Sequence, residues 1–345
     1  MKALFLRDDH VLSLEETENP VIETDGDVIV KVTAAAICGS DIHFWEGKAF
    51  SVPNFILGHE FVGVIHETGS AVRRFKPGDR VAVPAIPYCG ACDGCKQSEV
   101  YKCRQSSMFG WRTPKANLSG GQAEYVRVPY AEVGLVPIPD HVTDKQALLV
   151  GDILSTAYFA VTNGAVKPGD DVAIFGAGPV GLCAVACARL FTPGRIILVD
   201  LEDNRLAMGE RLGATHLLNP KRDEVAKQIR SITRRGVDLS IDAVGIPAIL
   251  EDCINVTAKG GIISVAGVGP AVFNVNMGAM FMKNLTLKTG FVNLNQMDRL
   301  MKLIALGKLD VSPIITHEMP LDDIVEAYRV FAEREDGCIK VMIKP

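Results

Sequence analysis

The sequence predicts an α/β protein, with a six-stranded doubly wound parallel sheet joined to a second, mainly β domain. Three observations predict it. Asp171–Gly181, DVAIFGAGPVG, reads as a short buried strand, a glycine turn and the start of an apolar helix that runs through Leu190. From about Thr156 onward, strand-like and helical runs alternate. Before that, residues 1–150 carry short β-rich runs separated by turn signals such as Lys76-Pro77-Gly78-Asp79. With 345 residues the chain exceeds the usual size of one domain.

The predicted β runs of the first part are Met1–Leu6, Val28–Ala36, Phe61–Glu67, Arg80–Pro84 and Glu124–Val128. Between the last two lies Cys89-x2-Cys92-x2-Cys95-x7-Cys103, in a glycine-rich segment. Nine cysteines is an odd number, and four of them crowd into this stretch, which points to metal rather than to disulfides. Four thiolates so close can close a tetrahedral zinc site, which is structural because no coordination position stays open.

A second set of metal-ligating residue types is more dispersed: Cys38-Gly39-Ser40-Asp41-Ile42-His43, Gly58-His59-Glu60 and Gly151-Asp152. One thiolate, one imidazole and one carboxylate suit an open zinc site. Each also has a plain reading: Cys38 as a buried apolar cysteine, His59 as a hydrogen-bonded core histidine, Asp152 as the cap of the next helix. Spacing alone does not bring them together.

In the second part, Gly176 allows the tight turn, Gly178 lets backbone approach a pyrophosphate, and Gly181 permits close packing of helix on strand. The helix start at Pro179 and Val180 offers unpaired N–H groups and a positive dipole end to phosphates. A second strand, Arg195–Val199, ends at Asp200, placed to hold a ribose hydroxyl or else to cap the following helix. Further predicted strands are His216–Leu218, Val237–Ala243, Gly261–Val265 and Leu285–Thr289, with helices over Asn204–Leu212, Glu224–Ile232 and Ala248–Asn255. A helix over Met297–Leu306 leads to a tail strand, Ile339–Ile343, expected to pack back on the first domain. The expected boundaries are 1–155 with a metal lobe at 89–103, 156–290, and a returning segment 291–345.

Composition narrows the partners. A hydrophobic content of 48% suits packed cores, and a net charge of −5 gives no reason to expect nucleic acid or an anionic membrane. MKALFLRDDH has no room for a signal-peptide apolar core, and no apolar run approaches membrane-spanning length. A cytoplasmic homodimer or homotetramer acting on a small molecule is the expectation.

The Cys38–His43 motif, Gly58-His59-Glu60-Phe61-Val62-Gly63, the four-cysteine lobe and Gly176–Gly181, in that order, resemble zinc-dependent medium-chain alcohol dehydrogenases. The resemblance runs essentially from Met1 to Pro345. It implies a GroES-like catalytic domain followed by a Rossmann domain, with the active site in the cleft facing the latter. It implies a catalytic zinc on Cys38, His59 and a third ligand. Asp152, in GDILSTAY, matches the secondary-alcohol and formaldehyde dehydrogenase branches, while Glu60 is the competing ligand found in polyol dehydrogenases. It further implies a structural zinc on Cys89, Cys92, Cys95 and Cys103, making two zinc ions per chain, and NAD as the cofactor. Zinc as a Lewis acid would favour the alkoxide of a bound alcohol. Ser40 would take the alcohol proton and pass it by way of the cofactor ribose to His43, a residue type that titrates near neutrality. Asp41 would orient a ligand histidine. The same resemblance places Val244, Gly267 and Val268 on the cofactor backbone and Lys340 on its pyrophosphate. Trp45, Phe109 and Trp111 are either pocket-lining or core residues.

The expected function is NAD-linked oxidation of a small secondary alcohol or diol. The alternatives are a sorbitol-type polyol dehydrogenase, a formaldehyde dehydrogenase or dismutase with retained NAD, and a nucleotide-binding protein without catalysis.

Overall fold

The computed structural model describes residues 1–114, 116–269 and 272–345. The chain forms two compact units, Met1–Ser155 with Asn293–Pro345, and Thr156–Val292. The change of unit falls inside the helix Ile153–Asn163.

The first unit is built on the antiparallel pair Val28–Ala36 and Glu60–Thr68. Their register sets Ala36 opposite Glu60 at one end and Val28 opposite Thr68 at the other. Every residue of Val28–Ala36 except Lys31 is at least partly covered, because packing lies on both faces. Arg80–Ala82 and Val136–Pro137 continue the sheet on one side, and Lys340–Lys344 and Ile315–Pro320 on the other. The chain end therefore joins the sheet of the chain start, with Met342 opposite Ala36. Leu57, Phe61, Ile65, Val81, Phe109 and Tyr328 belong to the core of this unit.

A small sheet, Leu12–Glu16 with Lys2–Leu6 and Phe55–Ile56, was not expected in full. Leu12–Glu16 (LSLEE) ends in two acidic residues that mask its alternation. It forms because Asp9 and His10 take the left-handed conformation, at φ 55° and 60°, and reverse the chain so that Leu12 pairs with Leu6.

The second unit holds six strands, all parallel, beginning with Asp171–Phe175 and Arg195–Val199. In chain order from one to six, the spatial order is 3-2-1-4-5-6, the doubly wound Rossmann arrangement. Asp171–Phe175 is fully buried, as a central parallel strand must be with helices on both faces. One boundary moves. The fifth strand starts at Thr257 rather than Gly261, since a register shift absorbs the glycine pair and Gly260 sits at φ +77°. Among the described residues no helix is long and apolar enough to cross a membrane.

Candidate functional site

The register of the first unit's sheet explains how dispersed residues meet. Cys38 lies two residues past the end of Val28–Ala36, and Glu60 opens the strand paired with it, so Cys38, His59 and Glu60 share one sheet end. Lys340 opens the strand on the other side of Val28–Ala36 and reaches the same end. Asp152 follows the short helix Leu148–Gly151, which is pinned by the Ala85 N–H bond to Gly151 O at 2.9 Å. A side chain at Gly151 would collide with Val83 O.

The result is a buried cluster in which one ligand atom each from Cys38, His59, Glu60 and Asp152 lies within 4.8 Å of the others. Asp152 Oδ2 is 3.2 Å from His59 Nε2 and 3.8 Å from Cys38 Sγ. Ligands at about 2.0–2.3 Å from one tetrahedral zinc are roughly 3.3–3.8 Å apart, so these donors fit the metal. Of the buried polar atoms here without a hydrogen bond, Asp41 Oδ1 and His59 Nδ1 face one another at 3.4 Å, and Glu60 Oε2 lies 2.7 Å from Lys340 Nζ, so the fit to a metal rests on the donor set itself.

Burial and the Glu60 carboxylate push the Cys38 thiol up. For His59, burial favours the neutral ring but is outweighed by Asp41, Cys38 and Asp152, which hold it well above the usual range. Burial would also raise Asp152, yet its hydrogen bond to His59 keeps it below the ordinary carboxylate value.

Lys340 corrects an expectation. It does not present its ammonium as an accessible phosphate ligand: the residue is 0% exposed and Nζ donates to Glu60 Oε1 at 2.8 Å, with Oε2 at 2.7 Å. A buried carboxylate needs a buried counter-cation, and losing one partner of such a pair costs about 3–5 kcal/mol. Burial pushes Glu60 up to about 7 despite Lys340. On the other side, Glu60 outweighs burial and carries Lys340 up to about 12, so the ammonium is the securely charged partner. Glu60 thus lies inside the cluster but is tied to Lys340.

Ser40 and His43 lie on the helix Gly39–Trp45, three residues apart and so on neighbouring positions of one face. Ser40 Oγ is 3.5 Å from Cys38 Sγ. Asp41 accepts the Cys38 N–H on Oδ2 at 2.9 Å, and its Oδ1 is 3.4 Å from His59 Nδ1. Phe109 is core rather than pocket lining: it is fully buried, edge-on to Phe61. Trp45 packs edge-on against Tyr328, and Trp111 stacks on Phe44.

The four-cysteine lobe is equally compact. Cys92 Sγ and Cys95 Sγ are 3.5 Å apart, and Cys89 Sγ and Cys95 Sγ 4.0 Å. Four thiolates around one zinc would sit about 3.8 Å apart, far beyond a disulfide bond. The Cys95 N–H lowers Cys92 to about 6, while burial pushes Cys95 up to about 12. Asn293 ties the lobe to the returning segment, accepting from Val100 N–H and donating to Ser98 O.

In the second unit, Gly176 at φ +94° makes the turn, and its missing Cβ leaves room for Val244, whose Cγ2 would otherwise lie 2.6 Å away. A Cβ on Gly181 would sit 1.8 Å from Gly176 O. Gly178 has open space and caps the helix Pro179–Arg189, with Pro179 and Val180 in its first turn. Asp200 accepts the Ala177 N–H at 2.6 Å and the Glu202 N–H at 2.8 Å, so it braces the glycine turn as well as its own helix. Val244, Gly267 and Val268 lie just past the fourth and fifth strands, at this same sheet end. The sequence reading missed Asp242. Its Oδ1 accepts the N–H groups of Val244 and Gly245, and its backbone oxygen those of Ala266 and Gly267. An aspartate at the end of a strand, three residues before Gly245, was the available signal.

A fold of this kind carrying such a cluster defines a zinc-dependent oxidoreductase with a dinucleotide-binding domain. Residues 24–140 match the model of the alcohol dehydrogenase GroES-like domain, and 179–306 that of zinc-binding dehydrogenases. The chain is 36% identical to an alcohol dehydrogenase of Cupriavidus necator over 354 residues, covering 96% of each. It is 32% identical to the sorbitol dehydrogenase of Bacillus subtilis over 352 residues, covering 100% of this chain and 97% of that one. The structure of alcohol dehydrogenase TADH from Thermus sp. ATN1 superposes with a TM-score of 0.95 at 34% identity, covering 100% and 99% of the two chains. This chain belongs to the zinc-dependent medium-chain alcohol dehydrogenase family.

Proposed function

We propose that the protein oxidises a small secondary alcohol or diol to the ketone with NAD, using zinc held by Cys38, His59 and Asp152. The observation that carries this reading is the tie between Glu60 and Lys340. With Glu60 committed to an ammonium at 2.7–2.8 Å, three donors remain for the metal and a fourth position stays open to substrate. Zinc there supplies a Lewis acid that polarises the alcohol oxygen. Ser40, beside Cys38, would accept the alcohol proton and hand it outward towards His43, and bound NAD would supply the hydride acceptor. Screening alcohols and polyols by nicotinamide absorbance at several pH values tests the reading; no turnover with any secondary alcohol or diol would overturn it. The presence of Glu60 within the cluster favours a polyol dehydrogenase as the second reading. A formaldehyde dehydrogenase or dismutase would instead co-purify with NAD.

If His43 receives the proton, His43→Gln should slow oxidation most at lower pH, where proton release is least favoured, with zinc content unchanged. An unaltered pH–rate profile would remove His43 from the relay.

The cofactor assignment rests on Asp200. Held by Ala177 and Glu202, its carboxylate can accept from both ribose hydroxyls and would repel a 2′-phosphate. Lys221 and Arg222 are paired with Glu202 and Asp203. NAD should be preferred by at least roughly tenfold in kcat/KM, about 1.4 kcal/mol. Asp200→Gly should narrow or reverse that preference, and equal use of NADP by the wild type would refute it.

Self-association is proposed from the sheet edge of the second unit. Among the described residues Thr286–Thr289 pairs on one side only, and Met277, Phe281 and Met282 on the preceding helix are exposed.

A further inference from the structure

A chain of buried polar side chains runs from the last helix of the protein to a candidate metal ligand. Tyr328, on Ile324–Glu333, donates its hydroxyl to Gln122 Oε1 at 2.7 Å, across 206 positions of sequence. Gln122 Nε2 donates to Asp41 Oδ2 and to Ala36 O, both at 3.2 Å. Asp41 in turn faces His59 Nδ1 with its other oxygen. Tyr328, Gln122 and Asp41 are 0% exposed and His59 is 1%. A core position filled by a glutamine between a tyrosine and an aspartate costs stability unless every group is paired, and an apolar set would pack there without that demand.

The backbone around the chain is shaped to hold it. Gly58, directly before His59, sits at φ +98°, and a Cβ there would lie 2.5 Å from Gln122 Cγ. Gln122 is fastened by its N–H to Leu57 O at 3.0 Å and by its own oxygen, which accepts from Leu4 N–H at 2.9 Å. Trp45, at the end of the helix that carries Asp41, packs edge-on against Tyr328 at 5.9 Å. Helix, glutamine and aspartate are thus braced against one another independently of any metal.

We propose that Gln122 and Tyr328 are positioning residues for His59. Gln122 and the Cys38 N–H occupy Asp41 Oδ2, leaving Oδ1 to face Nδ1 of the imidazole. The ring is then fixed with Nε2 towards Cys38 and Asp152. Asp41 Oδ2 and Ala36 O, which can only accept, set the amide with its nitrogen towards Asp41, and the Tyr328 hydroxyl pairs the remaining amide oxygen and holds it in place. The returning C-terminal segment therefore sets the geometry of a ligand near the chain start. The inference rests on the reading that Cys38, His59 and Asp152 hold zinc.

The test uses the full-length holoenzyme, loaded with zinc or with Co²⁺. Tyr328→Phe removes one oxygen, and Gln122→Glu keeps the shape while setting a carboxylate against Asp41. The readouts are the visible spectrum of the Co²⁺ enzyme and the rate at which dipicolinate strips metal from the Cys38 site. Tyr328→Phe should speed stripping about fivefold or more, and Gln122→Glu roughly 10–100-fold, with a shifted spectrum in both and an unchanged rate at the four-cysteine site. Val28→Ala, a core truncation at the far end of the sheet, should lower Tm while leaving spectrum and stripping rate unaltered. Wild-type spectra and rates in both variants, or the same acceleration in Val28→Ala, would overturn the proposal alone. Wild-type protein that holds metal only at the four-cysteine site would overturn the zinc reading and the proposal with it.

Discussion

Cys38→Ser should lower turnover by at least roughly 10³-fold, about 4 kcal/mol of transition-state stabilisation, and reduce zinc from two ions per chain to one. A serine hydroxyl replaces a thiolate as ligand and stays protonated near neutrality, while the hydrogen bond from the Cys38 backbone to Asp41 survives the exchange. The fold should therefore persist, and Tm should shift by no more than a few degrees. Metal analysis on wild type and variant, alongside kcat/KM with one good alcohol, checks this. A fully active wild-type enzyme with at most one zinc would remove the two-site assignment, and a variant with unchanged zinc content would remove Cys38 from the ligand set.

Cys92→Ser should act through stability instead. The lobe contains only two short helices, Asp93–Lys96 and Val100–Lys102, and Cys92 and Cys95 remain partly exposed. With so little to bury, the lobe depends on what its four sulfurs bind. Loss of a structural metal belongs among the largest single-residue effects, more than about 4–5 kcal/mol. For a unit of this size that is roughly 10 °C or more in Tm. Aggregation on heating and loss of one zinc should accompany the fall, while zinc at the Cys38 site and the activity of the remaining folded molecules persist. A variant with wild-type Tm would mean that the lobe holds itself together without metal.

The two sites differed in how far they could be read along the chain. The four cysteines lie within fifteen positions, and so short a segment can hardly avoid bringing them together. The glycine turn was legible for a similar reason. Gly176 and Gly181 are required by local backbone geometry, Gly178 stands between them with open space beside it, and Asp200 follows at the end of the neighbouring strand. The alternation of strands and helices likewise gave six parallel strands, because each βαβ step is a local unit with one preferred hand.

The sequence by itself therefore determined the family, the two-part architecture and the residue types of both metal clusters. Tertiary structure alone decided which distant groups meet. Ala36 opposite Glu60 and Met342 opposite Ala36 bring Cys38, His59, Glu60 and Lys340 to one sheet end, and neither pairing is written in local pattern. Lys340 illustrates the difference: the family resemblance suggested a phosphate ligand, but strand register turned it inward to a buried carboxylate. Gln122 and Tyr328 carried no motif at all, since a glutamine in a loop and a tyrosine on an amphipathic helix are ordinary residues. Their roles arise from packing across 206 positions, where a buried polar atom must find a partner and only the folded chain supplies it.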